Sequence, residues 1–201
     1  MQSTGSGVRH LREPRAIHFP SDAQVPETKE HLKLRTALYL VIRRELGARA
    51  CIGSDQFVYW NAKDPRVCLA PDVFVKLGAR DVDFPSWKTW ERGTPELAVE
   101  ILSENEDWAE KLDRYHELGI RELVQYDPST HRMRIWDRVD DDLVERETDG
   151  TSSPCLTLGL SWFVAPLEGE PALRIAREGK PIPTDAERVA ELEAELAKSH
   201  R

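Results

Sequence analysis

"PELAVEILSENEDWAEKLDRYHELGIRELVQYDP", residues 95–128, is the stretch whose reading decides the fold. Leu97 to Leu102 is apolar on both faces and reads as a central, buried strand. "SENEDWAEKLDRYHELG" follows as a helix. Ser103 or Asn105 is placed to cap it, Trp108, Leu112 and Tyr115 form its apolar stripe, and Gly119 ends it. "IRELVQYDP" is a second strand, stopped by Asp127 and Pro128. Strand, helix and strand in this order predict a right-handed crossover from Leu97 to Tyr126. Glu100 stands in the middle of the first strand. An unpaired buried carboxylate is costly, or it neutralises itself through its pKa, so this strand needs a compensating group nearby.

Upstream, Glu27 to Leu46 has helical periodicity through Leu34, Leu38, Val41 or Ile42, and Leu46, with Arg43 and Arg44 in the last turn and Gly47 as the stop. "RACIGSDQFVYWN" (49–61) and "RVCLAPDVFVKL" (66–77) read as strands. Pro71 interrupts the second, implying an edge or a bulge that redirects the next side chain. "KLGARDVDFPSWKTWERG" (76–93) reads as a loop carrying Trp87 and Trp90 among Arg80, Lys88 and Arg92. Such a loop suits base stacking and phosphate contact, and equally a lid packed on the core. Downstream, residues 131–150 read as an antiparallel hairpin, and "SSPCLTLGLSWFVAPL" (152–167) as a short last structured segment. Residues 184–201 read as a terminal helix, with a capping box at Thr184 and Glu187 and one apolar stripe at Val189, Leu192 and Leu196. The division expected is an N-terminal arm at 1–25, a single domain at 26–183 and a C-terminal helix at 184–201. The fold class is α/β in the mixed α+β sense: a central mixed β-sheet flanked by helices.

Composition narrows the function. With 40% hydrophobic and 32% charged residues, the chain is globular at the polar end of the range. No apolar run is long enough to span a membrane, and the polar, basic N-terminus lacks the apolar centre of a secretory signal; a cytoplasmic protein with no membrane partner is expected. The three cysteines, Cys51, Cys68 and Cys155, match no zinc or disulfide spacing and read as reduced thiols. A net charge of -8 argues against a non-specific nucleic-acid coat protein. It leaves room for a nuclease, whose site is itself acidic.

Asp72, where a strand is disturbed, Glu100 in the central strand and Lys111 on the following helix form the candidate constellation. Two carboxylates from neighbouring strand ends suit Mg²⁺ or Mn²⁺, and the cation would offset the burial of Glu100. A lysine beside them orients a water or neutralises developing charge. Each residue alone has a bland reading: an edge glutamate or arginine partner, a Pro-Asp turn, a solvated helix lysine. The three in one chain order are more specific than the parts.

"APDVFV", the 95–128 stretch and "RMRIW" together resemble the PD-(D/E)XK nuclease superfamily, and within it the Uma-two family of restriction-endonuclease-like proteins. The resemblance covers roughly residues 27–165. It implies a mixed sheet flanked by helices, Asp72 and Glu100 as ligands of a Mg²⁺ or Mn²⁺ cofactor, Lys111 as the catalytic lysine, and DNA as partner. The superfamily's usual lysine lies two residues after its acid, where this chain has Leu102; the family pattern takes its lysine from the next helix. Departures are "SENED" in place of an "SPS"-like stretch, and Gln125 where an aromatic or aliphatic residue is usual. Glu30 and His31, at the start of the first helix, and Asp107 and Tyr115, one turn either side of Lys111, are supporting candidates. Alternatives for these four are an exposed helix start, surface polarity and core packing. The implied activity is metal-dependent hydrolysis of DNA phosphodiesters, and a homodimer would suit double-strand cleavage. Two rivals stand beside it: a catalytically silent nuclease-fold module with a binding or regulatory role, and a metal-dependent hydrolase of another phosphate ester.

Overall fold

The computed structural model describes residues 17–19, 28–103 and 107–199. The expected N-terminal arm therefore lies outside the described residues except for 17–19. The elements, in order, are α1 (Lys29–Leu46), β1 (Ala50–Gly53), β2 (Val58–Tyr59), β3 (Cys68–Leu69), β4 (Val73–Leu77), β5 (Trp87–Lys88), α2 (Thr89–Arg92), β6 (Leu97–Ile101), α3 (Trp108–Leu118), β7 (Glu122–Asp127), β8 (Arg132–Val139), β9 (Asp142–Glu145), β10 (Ser152–Cys155), β11 (Leu160–Leu167), β12 (Glu170–Arg177), β13 (Lys180–Pro181) and α4 (Asp185–Ser199).

The main sheet has six strands in the order β1-β4-β6-β7-β8-β9. Its β6–β7 pair is parallel and its other pairs are antiparallel. The parallel pair is the one bridged by α3, as the strand-helix-strand reading requires. Alternation along β6 sends Leu97, Val99 and Ile101 to one core and Ala98 to the other. On the first face α1 packs through Leu34, Leu38, Val41, Ile42 and Leu46, all five buried. Each such side chain contributes about 1.5–3 kcal/mol by leaving water. On the second face α3 packs through Tyr115 and Leu118 against Phe74, Ala98, Leu123 and Trp136. Gly53 pairs with Phe74, and a Cβ there would lie 2.1 Å from the phenyl ring, so only glycine lets β1 and β4 meet.

Several local expectations change. The cap of α3 is Asp107, whose side chain accepts from the Glu110 N–H; Ser103 does not cap it, and Asn105 lies outside the described residues. The 76–93 segment is not loop throughout. Trp87 is fully buried in β5, part of a small sheet ordered β3-β2-β5, while Trp90 on α2 stays exposed. The last segment is larger than expected: β10 to β13 form a four-stranded antiparallel sheet whose Trp162, Leu173 and Ile175 join the α1-side core. The Thr184 capping box is present, with Glu187 N–H donating to Thr184 Oγ1 at 3.2 Å and Thr184 N–H to Glu187 Oε2 at 2.7 Å. No helix among the described residues is long and apolar enough to cross a membrane.

Candidate active site

The site forms where the C-terminal end of β6 meets the N-terminal end of β4. Their register pairs Val73 with Val99, which carries Asp72 to a place beside Glu100. Both belong to the α3 face by alternation, in step with Phe74 and Ala98. From α3, Lys111 and Tyr115 are one turn apart and so share the helix face turned to that strand end.

Glu100 is 1% exposed. Lys111 Nζ donates to its Oε2 at 2.7 Å, and the Tyr115 hydroxyl donates to its Oε1. These are the compensating groups the sequence calls for, and they fall short. Burial pushes the Glu100 carboxyl up to about 8, with the Lys111 charge pulling it down and the Asp72 charge pushing it further up. A buried carboxylate pair with one lysine lacks positive charge.

Asp72, also buried, is held from both sides. Its Oδ2 accepts the Ile101 N–H at 2.7 Å, and its Oδ1 lies 2.6 Å from His31 Nε2. Thus α1, β4, β6 and α3 all contribute to one cluster. Glu30 lies on the exposed side of α1 and is not brought to it. Arg35, one turn past His31, was not singled out by sequence. Its guanidinium donates to Ser54 Oγ at 3.1 Å and stands 3.8 Å from Asp55, whose N–H bonds the Pro71 carbonyl. The His-x-x-x-Arg spacing on α1 is the signal that points to it.

The donor set suits a hard divalent cation. Each of the four carboxylate oxygens takes one hydrogen-bonding partner, and a carboxylate oxygen has two lone pairs, so each retains one. Mg²⁺ takes one or two carboxylates and keeps its remaining waters. Among the described residues no three His, Cys, Asp or Glu side chains form a ready cage, so water would complete the coordination.

Two outcomes are expected here. Asp107→Ala removes the α3 cap and lowers stability by about 1 kcal/mol, while Asp107→Asn, itself a good cap, restores it along with whatever activity is lost; urea unfolding and activity of the pair check this. Second, the metal-free protein loses stability as pH rises. The unfolded carboxyl releases its proton near 4.5, while folded Glu100 keeps it until about 8. The native state binds the extra proton between these values, so stability is full below the lower one and falls by at most ~1.4 kcal/mol per pH unit toward the upper. Urea unfolding of the parent at several pH values, set against Glu100→Gln, measures this slope; parallel curves would remove the assignment.

Three comparisons bear on the cluster. A sequence-family model described as "Putative restriction endonuclease" matches residues 22–168, which include all of its residues. A crystal structure of an Anabaena variabilis protein, described as "a putative nuclease belonging to DUF820", superposes with a TM-score of 0.51 at 11% identity, over 66% of this chain and 75% of that one. At that identity the likeness is one of fold. Among curated proteins, none matches the sequence.

Proposed function

The chain belongs to the Uma2 (Uma-two) family, and on that premise we propose that it is a cytoplasmic, divalent-metal-dependent endonuclease hydrolysing phosphodiester bonds in DNA. The observation that carries the reading is the meeting of Asp72, Glu100 and Lys111 at one strand end, with Glu100 short of positive charge. Asp72 and Glu100 are the residues to hold Mg²⁺ or Mn²⁺, which when bound acidifies water and neutralises charge on a phosphoryl oxygen.

The chain's own groups do the rest. The Ile101 N–H fixes the Asp72 carboxylate, and His31 closes its other side. Tyr115 fixes the Glu100 rotamer by occupying Oε1. Lys111, anchored by Oε2, keeps its ammonium charge beside the carboxylates, where negative charge develops on the phosphoryl oxygen and the attacking water is polarised. Such preorganised donors need little rearrangement as charge develops.

Incubation of the purified protein with supercoiled plasmid tests this. Nicked or linear product with Mg²⁺ or Mn²⁺, and none with chelator, supports the reading. Intact plasmid with either metal, from protein that unfolds cooperatively, sinks it. Linear product without a nicked precursor would add the proposed homodimer, because two sites in symmetry cut both strands in one encounter. The net charge of -8 favours one alternative, a hydrolase of smaller phosphate esters. Steep salt dependence of duplex binding would exclude that alternative, since backbone contacts release counterions.

A further inference from the structure

Gln125 has no role in the chemistry above. It pairs in register with Glu100 on one side and with Arg134 on the other, so the three form one polar row across β6, β7 and β8 on the α3 face. The adjacent row, Ala98, Leu123 and Trp136, is core. Gln125 is 3% exposed, yet its amide hydrogen-bonds to none of the described residues. It lines an open groove of about 790 Å³, together with Leu102, Trp108, Arg132, Arg134 and Glu145. A second polar group in the same lining, the Trp108 indole N–H, is also buried without a partner among the described residues. The small part of Gln125 that remains exposed opens on this groove, so its amide depends on groove water for its hydrogen bonds, and a ligand carrying a matching donor and acceptor would take that water's place.

The groove's other features describe that ligand. Trp108 and Trp136 have ring centroids 5.2 Å apart, and the Arg134 guanidinium lies 4.8 Å from the Trp136 ring. Glu145 fixes Arg134 with two bonds of 2.8 and 2.6 Å. The groove thus has planar, held surfaces for stacking, and one amide carrying a donor and an acceptor side by side. A nucleobase edge carries the complementary pair, and amide side chains read bases through it. The volume lies in the range of small-ligand sites. Arg132, Arg134 and Arg146 in the lining are matched by Asp127, Glu145 and Glu147, so the groove is not built to hold a backbone by charge.

We propose that this groove receives the unpaired base of the nucleotide next to the scissile phosphate, with Gln125 bonding the base edge and the Trp108 side providing the stacking surface. The inference rests on the nuclease reading for its substrate class. Anisotropy of a fluorescent single-stranded DNA pentamer, against the same strand with abasic sites, tests it in chelator, where no cleavage is needed. The parent is expected to bind the intact strand tighter by roughly tenfold or more. Gln125→Leu should cut that ratio several-fold by removing the edge bonds, and Trp108→Ala, which removes the stacking ring, should bring the two strands close to equal. Gln125→Leu replaces an unpaired buried amide with an apolar group, so its melting temperature should match or exceed the parent's. Gln125→Met serves if that variant packs badly. Equal binding of both strands by the parent, an unchanged ratio in both Gln125 variants, or no binding of either strand would overturn the proposal. Base-dependent binding without plasmid cleavage would sink only the nuclease reading, and cleavage without base dependence only this one.

Discussion

Glu100→Gln is expected to lower metal-dependent plasmid cleavage by on the order of a thousandfold while making the metal-free protein more stable near pH 8. The two effects have one cause. The parent carboxyl, 1% exposed, is pushed up to about 8 by burial, and it gains its worth as a charged group only when a cation offsets that burial. The amide has nearly the same shape and needs no such offset, so it is the better residue for folding and the poorer one for holding a metal. A misfolded variant loses activity and stability together, so opposite signs in the two measurements identify a site residue. Single-turnover cleavage and urea unfolding near pH 5 and near pH 8 decide it. Cleavage within about tenfold of the parent would take Glu100 out of the chemistry.

Lys111→Met carries the second large effect, a loss of about a hundred- to a thousandfold. Methionine keeps most of the stem and removes the ammonium that sits 2.7 Å from Glu100. Two roles are separable by metal titration. If Lys111 serves only to neutralise Glu100, excess Mg²⁺ takes over that task and restores the rate. If the ammonium acts on the attacking water or the phosphoryl oxygen, the loss persists at saturating metal, which is the expected outcome. Lys111→Arg keeps the charge but not the compact point donor, and should recover only part of the rate.

The crossover unit could be read from sequence because its three parts carry independent signals that agree: an apolar run, a helical stripe ended by glycine, and a run stopped by Asp-Pro. The last sheet was harder. β12 interrupts its apolar run with Arg174, which is buried and bonded to the carbonyls of Pro166 and Ile182 and to Glu187. The turns around it hold a usable signal, a Glu-Gly pair at 168–169 and again at 178–179, both residues of each at positive φ, as a two-residue hairpin demands. In the site, sequence placed Glu30 and His31 on equal terms, and helix phase chooses between them: His31 reaches Asp72 and Glu30 faces solvent. Asp107 looked like a partner of Lys111 because of its spacing, but the cap position claims its side chain. That distinction depends on where the helix begins, which periodicity gives only to within a residue or two.

The separations within the cluster also imply an order of assembly. Glu100 meets Lys111 across 11 positions and Tyr115 across 15, all inside one crossover, whereas Asp72 meets Ile101 across 29 and His31 across 41. Loop-closure entropy grows with the logarithm of such distances. The acid–lysine half of the cluster can therefore form as soon as α3 lies on β6, while the His31–Asp72 half waits for the first helix to dock on the opposite face. Refolding followed at Tyr115 should run ahead of refolding followed at His31, so the cluster is complete only once α1 has docked.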